Sequence, residues 1–189
     1  MTERTALFDA YSPEAMTGYS IEMWRIREQL INWDTLFALG FTSYKMLVNS
    51  KEKHKEEPLD PIREILLRLY LISPEFPHLF VAPPILSLVD YLFNLGDNAS
   101  DEDRKRCIAQ LAPVLGRDRG AGYRWMSDAQ SSGNPVSLAI RRMIAKVFSM
   151  DPATARGHFW KVTLITAHAR NVDTTIIEGL LEERGVELD

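Results

Sequence analysis

Ile108-Ala109-Gln110-Leu111-Ala112-Pro113-Val114-Leu115-Gly116-Arg117-Asp118-Arg119-Gly120-Ala121-Gly122-Tyr123-Arg124-Trp125-Met126 reads as two short helices about a tight turn. Helices joined this closely need a small residue where they cross, a turn residue that tolerates positive φ, and an apolar residue on the second helix that docks back. Ala112, Gly116 and Trp125 supply these in order. Gly120 and Gly122 fall inside the second helix, where each costs up to about 1 kcal/mol against alanine. Pro113 removes a hydrogen bond from the first helix and predicts that it kinks or ends early.

Outward from this stretch the chain reads as helix. Apolar residues at helical spacing predict segments over 20–30, 33–39, 42–48, 60–72, 85–95, 101–115, 118–127, 137–149, 152–170 and 173–183. Only Lys161-Val162-Thr163-Leu164-Ile165-Thr166 competes as a strand, so the expected class is all-α. Ser100 before Asp101-Glu102-Asp103 puts an acceptor and negative charge at a helix start, Asp173 can cap the last helix, and Gly185 can end it. Ser73-Pro74-Glu75-Phe76-Pro77-His78, followed by Pro83-Pro84, is expected to be an irregular connector.

A faint repeat runs through the chain. Leu39-Gly40, Pro58, the helix Ile62 to Tyr70 and Pro74 are echoed by Leu115-Gly116, Pro135, the helix Ile140 to Phe148 and Pro152, with helix and trailing proline at a constant offset of 78. The expected architecture is therefore two bundles in tandem with extra C-terminal helices. Residues 1–95 form the first domain, and 96–155, after the break Gly96-Asp97-Asn98-Ala99-Ser100, the second. Residues 156–189 close the core or make a dimer through Phe159, Trp160, Leu164, Ile165, Ile176, Ile177, Leu180 and Leu181.

The quoted stretch resembles the DNA-binding helix-turn-helix of the lambda repressor and Cro family, in which Leu-Gly, a short polar turn and a terminal Arg-Trp are frequent. The resemblance covers about twenty residues, extended by the helix over 137–149. It implies two repressor-like bundles, the second of which lays its later helix in the major groove of double-stranded DNA. Carried over, Arg117, Arg119, Gly120, Tyr123 and Arg124 are expected to face DNA, with Asp118 as the helix cap. Arginine can take guanine bidentately, and tyrosine can lie against a sugar or a thymine methyl. Arg104, Lys105 and Arg106 are expected to touch phosphate. Gly122 stands where the family buries an aliphatic residue. The first repeat resembles the family less closely, with Thr42 as a cap and Tyr44 and Lys45 outward. A homodimer, or two repeats acting as one, is the arrangement the resemblance implies.

Charge is segregated to match. From Arg104 to Arg170 there are twelve basic and three acidic residues, a net +9; the rest of the chain holds ten basic and twenty-three acidic residues, a net −13. A basic block in an acidic chain suits a polyanion, because phosphate neutralisation supplies most non-specific affinity. An arginine-rich solvated helical surface is the other reading of the same block.

Catalytic and metal signatures are not found. His54, His78, His158 and His168 have no paired ligand spacing and Cys107 stands alone, so neither a metal ion nor a cofactor is expected. Trp24, Trp33, Trp125 and Trp160 sit among apolar neighbours and are expected in the core. One cysteine, no signal-like N-terminus and no long apolar run predict a cytoplasmic protein without a membrane span. The leading expectation is a non-enzymatic, sequence-specific transcriptional regulator of a bacterium or mobile element. The alternative is a helical adaptor that keeps a repressor-like core and binds another protein through its acidic N-terminal half or apolar C-terminal helices.

Overall fold

Short polar side chains start the helices. Ser43, Asp60, Ser100 and Ser137 each accept a hydrogen bond from the amide three residues on, satisfying one of the free N–H groups of a first turn. The computed structural model describes residues 9–76, 82–96, 98–129 and 136–186. Pro77, His78, Phe80, Val81, Asp97 and Pro135, used above for the connector, the boundary and the repeat, lie outside the described residues, as does the N-terminal stretch 1–8.

The fold is all-α. Ten helices form among the described residues: α1 (Gly18–Arg27), α2 (Asn32–Ala38), α3 (Tyr44–Glu52), α4 (Pro61–Ile72), α5 (Ile85–Leu92), α6 (Asp101–Val114), α7 (Arg119–Ala129), α8 (Leu138–Ser149), α9 (Ala155–His168) and α10 (Thr175–Glu183). The stretch 161–166 lies within α9. Thr17 and Pro58 make one isolated antiparallel bridge. None of the described helices is long and apolar enough to cross a membrane.

One apolar cluster runs from Met16 to Val186, and α4 lies at its centre. Ile62, Ile65, Leu66, Leu67, Leu69 and Tyr70 are all buried, so this helix is apolar around most of its circumference. Its two buried charges answer each other. Arg68 donates to Glu64 at 2.7 Å and to the carbonyls of Ala10, Ser12 and Glu14 at 2.7–2.9 Å, which ties residues 10–14 to the core. Glu64 also pairs with Arg170, beyond the end of α9. The Trp160 indole, buried on α9, donates to the Leu92 carbonyl at 2.9 Å and so joins α9 to α5.

The sequence repeat divides the first eight helices into two groups of four, α1–α4 and α5–α8. Helix α1 lies against α2 and α3, while α5 lies against α6, α7 and α8, and α4 lies against α8 and α9. The turn after α2 and the turn after α6 are built alike. Gly40 (φ 63°) and Gly116 (φ 70°) each occupy the left-handed conformation, and each is bracketed by the same pair of backbone bonds. Gly40 N–H donates to the Phe37 carbonyl and Phe41 N–H to that of Leu36; Gly116 N–H donates to Pro113 and Arg117 N–H to Ala112. Each glycine also abuts the first turn of the other group's long helix. A Cβ on Gly40 would lie 2.5 Å from the Ala139 Cα, and one on Gly116 would lie 2.5 Å from the Pro61 Cγ. Gly40→Ala therefore combines a left-handed strain with a backbone clash and is expected to cost about 2–4 kcal/mol, read as a lower urea midpoint at unchanged slope.

A second tether joins the groups at the connector. Lys146 on α8 is fully buried; its ammonium donates to Ser73 Oγ at 3.2 Å and to the Glu75 carbonyl at 2.6 Å, and stands 4.8 Å from the Tyr70 ring centroid. Burial lowers its pKa from 10.5 to about 8, the charge on Glu75 opposing the shift. From about pH 8 upward the folded chain has given up this proton while the unfolded chain still holds it, so stability rises with pH. The buried Cys107 thiol, pushed from 9.0 to about 11, acts in the opposite sense from pH 9. Thermal melts are thus expected to shift upward between pH 8 and 9, and Lys146→Met is expected to remove that rise.

Several sequence expectations are corrected. Trp33 is not in the core: it is 61% exposed, because α2 has only seven residues and turns Thr35 and Ala38 inward instead. Thr42 is not the cap of α3; Ser43 takes that place, and the Thr42 hydroxyl turns to Met46 Sδ at 3.1 Å. Pro113 falls one residue before the end of α6, at Val114. The helix expected from residue 152 begins at Ala155. Gly185 ends α10 with φ 63°, as its position suggests.

Candidate nucleic-acid interface

Helix α7 is placed by what it buries. Ala121, Trp125 and Met126 enter the core, and Gly122 crosses α6 so closely that a Cβ there would lie 2.6 Å from the Ile108 carbonyl oxygen and 3.2 Å from the Ala109 Cα. The glycine that departs from an aliphatic residue is therefore the crossing point itself. Four residues after the Ser43 cap of α3, as Gly122 is after Asp118, Leu47 is fully buried. Asp118 opens α7 by accepting from the Ala121 amide at 3.0 Å.

What α7 leaves outside is basic. Arg117, Arg119, Tyr123 and Arg124 are exposed, Tyr123 by 55%. Gly120 is partly covered, and its missing side chain leaves room for Arg124 to reach back to Asp118 Oδ2 at 3.3 Å. Slight desolvation pushes the Asp118 carboxyl up, but the Arg124 guanidinium and the Ala121 amide outweigh it and hold its pKa below the ordinary value. Asp173, at the start of the C-terminal helix, is held low first by the Thr175 amide and also by Arg119. The cationic face of α7 thus has two carboxylates near it, Asp118 and Asp173.

The preceding cations each pair with a carboxylate of the chain. Arg104 is bound to Asp90 at 2.8 Å and to the Ala99 carbonyl at 2.9 Å, which joins α6 to α5. Arg106 pairs with Glu183 at 3.0 Å and Lys105 lies 3.6 Å from Glu102, both at the surface. Elsewhere in the basic block, Arg142 lies 3.4 Å above the Phe37 ring, Arg156 5.1 Å from that of Tyr91, and Arg170 is on Glu64. Part of the +9 read along the sequence is therefore neutralised by acids from outside the block, and its exposed members are Arg117, Arg119 and Arg124 at the start of α7, Arg141 on α8 and Lys161 on α9, besides the surface pairs of Lys105 and Arg106.

The α3 face differs in chemistry. Tyr44, Lys45 and Met46 are exposed beside Thr42. The Tyr44 hydroxyl accepts from Asn32 Nδ2 at 2.9 Å, whose Oδ1 accepts from Lys51 at 2.7 Å, and the Tyr44 ring lies 5.5 Å from that of Trp33. Ile31, Phe37, Tyr19 and Ile26 are also exposed in this part of the chain. Tyr44 was expected to face outward, but the exposure of Trp33 and Phe37 beside it was missed from sequence, and the signal that could have found it is the shortness of α2.

Among the described residues no group of three or more histidine, cysteine, aspartate and glutamate side chains could hold a metal ion. No family model matches the chain, and no curated protein or solved structure matches it. Among the described residues the fold is all-α, with exposed arginines at the start of α7 and an exposed apolar surface formed by Trp33 and Phe37 of α2 with Tyr44 and Met46 of α3.

Proposed function

We propose that the chain binds double-stranded DNA sequence-specifically and serves as a transcriptional regulator of a bacterium or mobile element, with α7 in the major groove. The observation that carries this reading is the division of α7: Gly122, Trp125 and Met126 fix it against the core, and Arg117, Arg119, Tyr123 and Arg124 are left facing outward. A rigid helix with outward arginines at its first turns has the form in which guanine edges are read. Arg104, tied to Asp90, acts as a brace in this scheme, while Lys105 and Arg106, at the surface, are free to exchange Glu102 and Glu183 for phosphate. The test is the salt dependence of binding to sequence-selected duplex. A log–log slope of about −0.9 per phosphate neutralised, and several phosphates in all, is expected; binding that ignores salt contradicts the reading.

A second reading, a helical adaptor, is favoured by the exposed Trp33, Phe37, Tyr44 and Met46. Large apolar side chains that stay in water serve partner surfaces more often than solubility. It predicts a stoichiometric protein partner that survives nuclease treatment.

A further inference from the structure

We infer that the two groups α1–α4 and α5–α8 are related by an approximate two-fold axis passing between α4 and α8, so that one chain presents two equivalent helices, α7 and α3, to two half-sites of a single duplex. The inference rests on the DNA-binding reading of α7 and extends it to α3. Its basis is reciprocity. Gly40 of the first group docks on Ala139 at the start of α8, and Gly116 of the second docks on Pro61 at the start of α4. Pro61 and Ala139 are themselves separated by the repeat offset of 78. Groups related by translation make a contact in one direction only; a contact that each half returns to the other is the mark of a two-fold, as in an isologous dimer. The helices α4 and α8, which pack on each other, are the pair that such an axis exchanges.

Elements exchanged by a two-fold lie at one height along it, the arrangement by which a dimer of DNA readers meets two half-sites about 34 Å apart. Here the same arrangement is built into one chain. The halves are chemically unequal. Where α7 and the turn before it offer Arg117, Arg119 and Arg124, α3 and its turn offer Thr42, Tyr44, Lys45 and Met46, with a single lysine among them. Tyr44 is held in position by Asn32 and, behind it, Lys51. That face suits apolar contact with thymine methyls and sugars rather than phosphate, so the second half-site is A·T-rich, is read weakly, and contributes little to the salt dependence.

The experiment uses the full chain and a duplex selected by it from random sequence. Sedimentation of the complex and hydroxyl-radical footprinting are expected to give one chain per duplex and two protected segments about one helical turn apart. Tyr44→Ala with Lys45→Ala, both at exposed positions, is expected to erase one segment and weaken binding about 10-fold while the α7 segment persists; Lys45→Glu, the milder surface change, is expected to act in the same direction. Two chains per duplex, a single protected segment, or a footprint indifferent to these variants overturns the inference and leaves the reading of α7 standing. If no duplex is selected at all, both fall together.

Discussion

Glu64→Ala is expected to remove about 3–5 kcal/mol of stability, a large part of the 5–15 kcal/mol typical of a domain, and to lower the melting temperature by roughly 6–20 °C. The size follows from where the charge sits. Glu64 and Arg68 have no exposed side-chain surface, and Glu64 is shared between Arg68 and Arg170. Truncating it leaves the Arg68 guanidinium in the core with only carbonyl oxygens around it. The same loss loosens three parts of the chain at once, since Arg68 holds residues 10–14 and Arg170 holds the end of α9. Arg170→Ala is expected to cost clearly less, because that side chain is partly open to water. Thermal unfolding of the two variants beside wild type checks the ordering; equal losses would mean that Arg170, and not burial, sets the energy of the cluster.

Arg119→Ala with Arg124→Ala is expected to abolish sequence-specific retardation of duplex DNA while leaving the melting temperature unchanged within the range of surface substitutions. A bidentate arginine–guanine contact discriminates by about 1–3 kcal/mol, so losing two weakens the preferred site at least about 30-fold relative to a scrambled one. Both side chains lie outside the core, and the pair that Arg124 makes with Asp118 is exposed on both sides, a kind of contact worth little to folding. Retained discrimination in the double variant would remove α7 from the interface. Lost discrimination with a collapsed melt would show only that the helix had come apart, which is why the two measurements belong together.

Much of the fold is legible in the sequence because helices announce their ends locally. Leu39-Gly40 and Leu115-Gly116 place the two left-handed turns, and Ser100 and Gly185 place a start and a stop. What is not legible is the sharing of partners across long separations. Nothing near Arg104 in sequence foretells that Asp90 takes it from solvent, or near Arg170 that Glu64 draws it inward. A charge count along the chain therefore overstates the open positive surface. The departures that counted against the second helix have a simple origin in packing: Gly122 admits the backbone of α6, and Gly120 leaves space for the bridge from Arg124 to Asp118. Trp33 went the other way, exposed where its neighbours in sequence suggested burial, because a seven-residue helix has one inward face and two small residues already occupy it.

Contact of the outward face of α7 with DNA can be read in the cell. The most direct measurement is immunoprecipitation of the tagged chain from its own cells with sequencing of the DNA recovered, done in parallel on the Arg119→Ala, Arg124→Ala variant. A limited set of sharp sites sharing one motif is expected, lost in the variant at equal protein level. Recovered DNA that follows the genomic background for wild type, or sites that persist undiminished in the variant, would contradict it.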